Sequence, residues 1–280
     1  MKTILVPTDF SATAKNAALY AIAFAKQVKA TDIILYNAYQ AMQPLAADPL
    51  MSTAAFPVEL DSFKEISQVQ LQELQTELRE IVSDDISIHT YAEFNTLTEG
   101  IHDTCIDKQV DVIIMGITGG GTLEETLIGS NTTVVAKNTE TPVIIVPPKA
   151  VFQPIEEIVL TVDLKSVANT TPVDVIKRLL DASKAKLFIL HVADDEDLDD
   201  DEKYQERYSL NQLFDGYSFD FCEVKNSSFT DAVNDFAAAN NADIIINIPK
   251  KRSLIDRLFK RSHTQMLAFH SHIPLMVVHD

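Results

Sequence analysis

Basic residues are scarce in this chain. Lys and Arg number 23 against 41 Asp and Glu, for a formal net charge of -18. Contact with a phosphate backbone needs a basic face, so the charge balance argues against nucleic acid as a partner. The run Asp194 to Glu202 supplies eight of the negative charges. It reads as a solvated flexible loop, or as a weak Ca²⁺ binder without the glycine and terminal Glu spacing of an EF-hand. Cysteine is nearly absent. Cys105 and Cys222, one in each half, form no disulfide framework and have no metal-ligand company. No apolar run approaches the roughly 20 residues that span a bilayer, and the first residues lack a charged segment followed by a secretory apolar stretch. These absences lead us to expect a cytoplasmic protein with no membrane partner. The seven histidines include no H-E-x-x-H spacing, and there is no nucleophile elbow. Neither catalysis nor a metal centre has a positive signal.

An internal repeat is present. Ile4-Leu5-Val6-Pro7-Thr8-Asp9-Phe10 matches Ile158-Val159-Leu160-Thr161-Val162-Asp163-Leu164, an offset of 154. Asp111 to Met115 matches Asp243 to Asn247, and Thr141 to Val146 matches Ile273 to Val278, both at an offset of 132. The first copy therefore carries about 22 extra residues between its second and fourth strands. A length of 280 residues suits two domains, each large enough for its own core. We divide the chain into 1–148 and 155–280, joined by a linker at 149–154 within the proline-rich stretch Pro147 to Pro154.

Within each half, short β-branched runs alternate with longer segments of helical period, the pattern of β-α-β crossovers around a parallel sheet covered on both faces. Strands are expected near 2–7, 32–38, 86–93, 110–115 and 142–146, then near 155–161, 186–192, 217–224, 242–247 and 273–278. Helices are expected near 11–29, 59–82, 97–108 and 130–137. Residues 40–58, rich in Ala, Pro and Met, read either as an excursion over the crevice at the strand ends or as a disordered insertion.

Glycine is also scarce, with seven in the chain, yet Gly116 to Ser130 reads G-I-T-G-G-G-T-L-E-E-T-L-I-G-S. The stretch follows a buried-looking strand, Val110 to Met115, and precedes a helical start at Ser130-Asn131-Thr132. Gly116, Gly119 and Gly129 would leave backbone amides uncovered and permit φ > 0. A nest of amides beside a helix N-terminus favours an anion such as phosphate, and Ser130 and Thr132 can add hydroxyls. The spacing is G-x-x-G, nine residues, then G-S. It is neither a Walker loop nor a dinucleotide fingerprint. At the end of the first strand, Asp9 or Ser11 could cap the following helix.

The loop resembles the ATP-binding loop of the universal stress protein family, and the likeness of fold covers nearly the whole chain. The resemblance implies two tandem Rossmann-like α/β domains, each an open five-stranded parallel sheet in order 3-2-1-4-5. It implies that Asp9, beside Thr8, faces adenosine at the switch in strand order, and that the backbone at Asn37-Ala38 meets adenine. The loop from Met115 and Gly116 through Gly119, Gly129, Ser130, Asn131 and Thr132 would then wrap the ribose and phosphates. The ligand implied is ATP, with ADP or AMP as alternatives. Glu124 and Glu125 would repel a triphosphate unless they point outward or Mg²⁺ bridges them to it. In the second copy the loop from Asn247 to Ser262 has no glycine, and Pro249 removes an amide donor, so we expect one intact and one decayed site. Its basic cluster, Lys250 to Arg261, reads as a side-chain anion site or a solvated helix face.

The resemblance implies a regulatory role in which nucleotide occupancy changes the surface offered to an unknown protein partner. Slow ATP hydrolysis or autophosphorylation at Ser130 or Thr132 is an alternative, as is a pairing module that uses no nucleotide. The last strands, Val143 to Val146 and Leu275 to Val278, are apolar edges expected to pair inside one chain, with homodimerisation a further option.

Overall fold

The computed structural model describes residues 1–40, 56–117, 130–193, 199–226, 228–249 and 273–279. The first half runs β1 (Thr3–Pro7), α1 (Ala12–Val28), β2 (Asp32–Tyr39), α2 (Phe56–Arg79), β3 (Ser87–Phe94), α3 (Leu97–Lys108), β4 (Val112–Gly116), α4 (Ser130–Asn138) and β5 (Val143–Val146). The second runs β6 (Glu157–Val162), α5 (Val167–Thr170), α6 (Val173–Ser183), β7 (Lys186–Ala193), α7 (Asp200–Leu213), β8 (Phe219–Lys225), α8 (Phe229–Ala239), β9 (Ile244–Asn247) and β10 (Leu275–Val277). The extra length of the first copy lies between β2 and β3, where α2 is the longer counterpart of α7. Most of the excursion expected at 40–58, the loop glycines Gly119 and Gly129, Glu124 and Glu125, and the Lys250 to Arg261 cluster lie outside the described residues.

The strands form one sheet in the order β3-β2-β1-β4-β5-β10-β9-β6-β7-β8. Each half thus has the expected 3-2-1-4-5 order, with parallel neighbours inside the half. The halves join where β5 and β10 pair antiparallel, Val143 with Val277, Ile144 with Met276 and Ile145 with Leu275. Central strands are apolar on both faces because helices cover both sides. Alternate residues feed two cores: Ile4 and Val6 pack into one, with Phe24 and Leu35, while Leu5 packs into the other with Ile113 and Val159.

The repeat is visible in hydrogen bonds as well as in strands. Asp111 Oδ2 accepts from the backbone N–H groups of Lys2 (2.6 Å) and Thr3 (3.2 Å). Asp243 Oδ2 accepts from Glu156 (2.8 Å) and Glu157 (2.9 Å) in the same way. Each carboxylate, one residue before its central strand, satisfies donors at the entry of the neighbouring strand that the ladder leaves open. The chain between the halves lies along α1. Asn16 Nδ2 donates to the carbonyls of Pro147 (3.3 Å) and Ala150 (3.0 Å), and Phe152 packs edge-on against Tyr20 with ring centroids 5.1 Å apart. The Gln27 amide both donates to Ile155 O and accepts from Ile155 N.

The helix that follows the first strand also differs between the halves. The counterpart of α1 is broken into α5 and α6 at Thr171-Pro172, where Thr171 is extended, with φ -101° and ψ 113°. Proline lacks the N–H for a helical bond and pushes its predecessor out of the helical region. Replacing Asp243 with Ala leaves two strand-entry amides without their charged acceptor. The expected loss is about 1–3 kcal/mol of stability, read as a lower urea midpoint at unchanged m-value.

Candidate functional site

The carboxyl ends of β1, β2 and β4 meet in the first half. Thr8 leaves β1 with its N–H bonded to Tyr36 O at 2.8 Å, which holds the exit of β1 against β2. Its hydroxyl accepts from Phe10 N at 3.0 Å. Asp9 is exposed, and its Oδ1 accepts from Ser11 N at 3.0 Å, a side-chain turn of the kind Asp forms readily. Ser11, not Asp9, caps α1, accepting from Ala14 N at 3.2 Å. Phe10 between them takes a left-handed backbone, φ 64°, a conformation uncommon for a bulky residue. The second half repeats the turn with Asp163 Oδ1 accepting from Lys165 N at 3.0 Å and Leu164 at φ 54°.

At the end of β2, Asn37 is tied into the same corner. Its Nδ2 donates to Thr8 O at 2.7 Å, and its Oδ1 accepts from the buried Ser67 hydroxyl of α2 at 2.7 Å. Ala38 follows, half-buried. Tyr36 turns to the other face, donating to Glu93 Oε2 at 3.0 Å. Burial first, then Glu93, raises its pKa far above the ordinary tyrosine value, so it stays protonated.

The third side is β4. Met115 is buried, and Gly116 closes the strand opposite Val146. The expectation of a turn at Gly116 is corrected here: it is a strand residue, and the left-handed backbone conformation is not found there. Glycine is needed for close approach instead. A Cβ on it would strike the carbonyl of Thr13, 2.7 Å from the carbonyl carbon and 3.2 Å from Ala14 N. Thr132, buried in the first turn of α4, donates its hydroxyl to Gly116 O at 2.9 Å. Asn131 beside it is exposed. The starts of α1 and α4 are thereby both held on the last residue of β4.

Of the expected site residues, Thr8, Asp9, Ala38, Met115, Gly116 and Thr132 are brought to one end of the sheet, with Asn131 at the start of α4. Ser130 begins α4, and Gly119 and Gly129 lie outside the described residues. Sequence reasoning missed Ser67, and it read Asn37 only for its backbone. A signal for Asn37 existed: the 154 offset pairs it with His191, whose Nδ1 meets Val162 O at 3.1 Å, the counterpart of Thr8 O. Among the described residues no group of three or more His, Cys, Asp or Glu could hold a metal ion, and no helix is long and apolar enough to cross a membrane.

The model of the family described as "Universal stress protein family" matches residues 1–147 and again 154–279. The chain belongs to the universal stress protein family. Universal stress protein MJ0577 of Methanocaldococcus jannaschii is 31% identical over 156 residues, 53% of this chain and 96% of that protein. A universal stress protein from Archaeoglobus fulgidus aligns over 99% of this chain and 98% of its own, with TM-score 0.70 and 18% identity, a likeness of fold across both copies. Another universal stress protein has been solved in complex with cAMP; it covers 52% of this chain at 21% identity and TM-score 0.39, and the cAMP is a statement about that protein alone.

Gly116→Ala forces the start of α1 away from β4. Overpacking of this kind costs about 1–3 kcal/mol, so this universal stress protein should melt several degrees lower by calorimetry with the change.

Proposed function

We propose that the first half binds an adenine nucleotide at the ends of β1, β2 and β4, and that its occupancy regulates binding of a protein partner. The observation that carries the reading is the anchoring of two helix starts, α1 through Thr13 and α4 through Thr132, on Gly116. The positive ends of both helix dipoles are thereby placed at the exit of β4, which favours an anionic ligand. Asp9 sits exposed at its rim, suited to accept hydrogen bonds from a ribose or base. Family membership supports the same reading.

In this proposal the ligand is ATP, with ADP or AMP as alternatives. Thr8, Asp9, Ala38 and Met115 hold the nucleoside side; Gly116, Gly119, Gly129, Ser130, Asn131 and Thr132 hold the phosphates. The donor set fits a phosphate group: backbone amides beside helix starts, Thr132 offering only its N–H because its hydroxyl is held by Gly116 O, with no cluster of carboxylates among the described residues. Mg²⁺, when bound, would neutralise phosphate charge and take mainly phosphate and water oxygens. We assign residues 1–148 to this binding unit and 155–280 to its diverged copy, and we place the protein in the cytoplasm.

Protein purified without added nucleotide, then denatured, should release about one adenine nucleotide per chain by mass spectrometry, and Gly129→Val should release none. Asp9→Ala should weaken binding of added Mg·ATP by roughly 10-fold, the loss of about one charged hydrogen bond. Release of nothing, with no calorimetric binding of Mg·ATP, would shift the reading to a nucleotide-independent pairing module. Sustained turnover of ATP over many cycles would make the protein an enzyme instead.

A further inference from the structure

The second half carries a small buried site, two of whose polar lining residues stand where the first half has apolar ones. Two repeat positions at the ends of central strands have changed from apolar to polar: Thr161 stands for Pro7 and Asn247 for Met115 under the 154 and 132 offsets. On α8, which covers them, Asn234 stands for His102. These three side chains line one cavity of about 10 Å³, walled by apolar groups such as Phe229, Val233 and Leu275.

Asn247 is 3% exposed. Its Oδ1 accepts from the Thr161 hydroxyl at 2.9 Å, and that hydroxyl also lies 3.2 Å from Ile246 O. The Nδ2 of Asn247 and the Nδ2 of Asn234 are both buried and have no hydrogen-bond partner among the described residues. A buried amide N–H without an acceptor costs about 1–3 kcal/mol, and native proteins rarely keep two such groups on one cavity. Flipping the Asn247 amide does not remove the problem. Its nitrogen would then face the Thr161 oxygen, and its carbonyl oxygen would become the buried group in need of a partner.

The structure assigns this cavity as a site for a single neutral oxygen, shared by the Asn247 and Asn234 amides and bordered by the apolar side chains of Phe229, Val233, Ile245 and Leu275. The volume suits one water-sized group, near the lower limit for a buried water with polar partners. An oxygen that both donates and accepts satisfies the Asn247 amide in either orientation. The oxygen is that of an internal water or the carbonyl or hydroxyl end of a small ligand. A charged group is excluded by the apolar wall and the lack of a counter-charge among the lining residues. Where the first half has Met115 at its crevice, the second thus has a polar plug, which is independent of any nucleotide in the first half.

The test is a crystal structure of the full chain, with Asn247→Met as the variant that restores the first-half residue. Water relaxation dispersion, which counts long-lived buried waters, runs beside it. One oxygen-sized density within hydrogen-bond distance of both amides, together with the loss of one long-lived water in Asn247→Met, is the expected result. Density larger than one oxygen, with a small molecule released on denaturation, assigns the oxygen to a ligand instead of water. Amides that contact protein acceptors and no other density overturn the proposal. Should Asn247→Met fail to fold, Asn234→Ala on the more accessible α8 carries the same readouts.

Discussion

The antiparallel ladder between β5 and β10 is the constraint on which the rest of the molecule depends. It is three residue pairs long, yet all six side chains are buried, and it seals the inner edge of each half at once. An apolar edge strand left open invites pairing with another chain; here each edge is the other's partner. The antiparallel sense also fixes orientation. Strands of the first half and strands of the second run in opposite directions across the joint, so their carboxyl ends lie at opposite margins of the same sheet. The crevice of Asp9 and the corner of Asp163 therefore open away from each other.

The two halves keep one framework and differ at its functional end. The Asp111 and Asp243 clamps and the Asp9 and Asp163 turns are structural devices retained in both. Gly116 and its counterpart Ile248 mark the divergence. In the first half glycine admits the carbonyl of Thr13, and α1 starts directly against β4. In the second, the counterpart Ile248 is buried in the same core as Leu164 and Val167, and the helix there is interrupted after one turn. The loss of a close-packed helix start accompanies the loss of glycines from the loop that follows.

Much of the architecture was legible in the residues. Apolar runs such as Ile4 to Val6 and Ile158 to Leu160 marked central strands because both sheet faces are covered, and the change of offset from 154 to 132 located the extra length. Pairing of the last strands was implied by the family resemblance together with their apolar, otherwise unprotected edges. The site was less legible, for reasons that differ by residue. Gly116 was read for backbone freedom, while its role is steric and depends on Thr13, distant in sequence. The hydroxyl of Thr132 was read as facing a ligand, but it binds Gly116 O. Ser67 reaches Asn37 across a strand and a helix, a contact with no local pattern. Asn247 and Asn234 matter only as a pair across one cavity, which a linear reading cannot bring together.

A chain with only one of these halves would expose β5 and would need a second molecule to cover it, with pairing set by how many copies were present. Tying both halves into one chain, with the connecting residues laid along α1 by Asn16 and Gln27, makes that meeting intramolecular. Effective concentrations for short tethers are millimolar or higher. The joint therefore persists at any dilution, and its integrity is insulated from changes in cellular abundance.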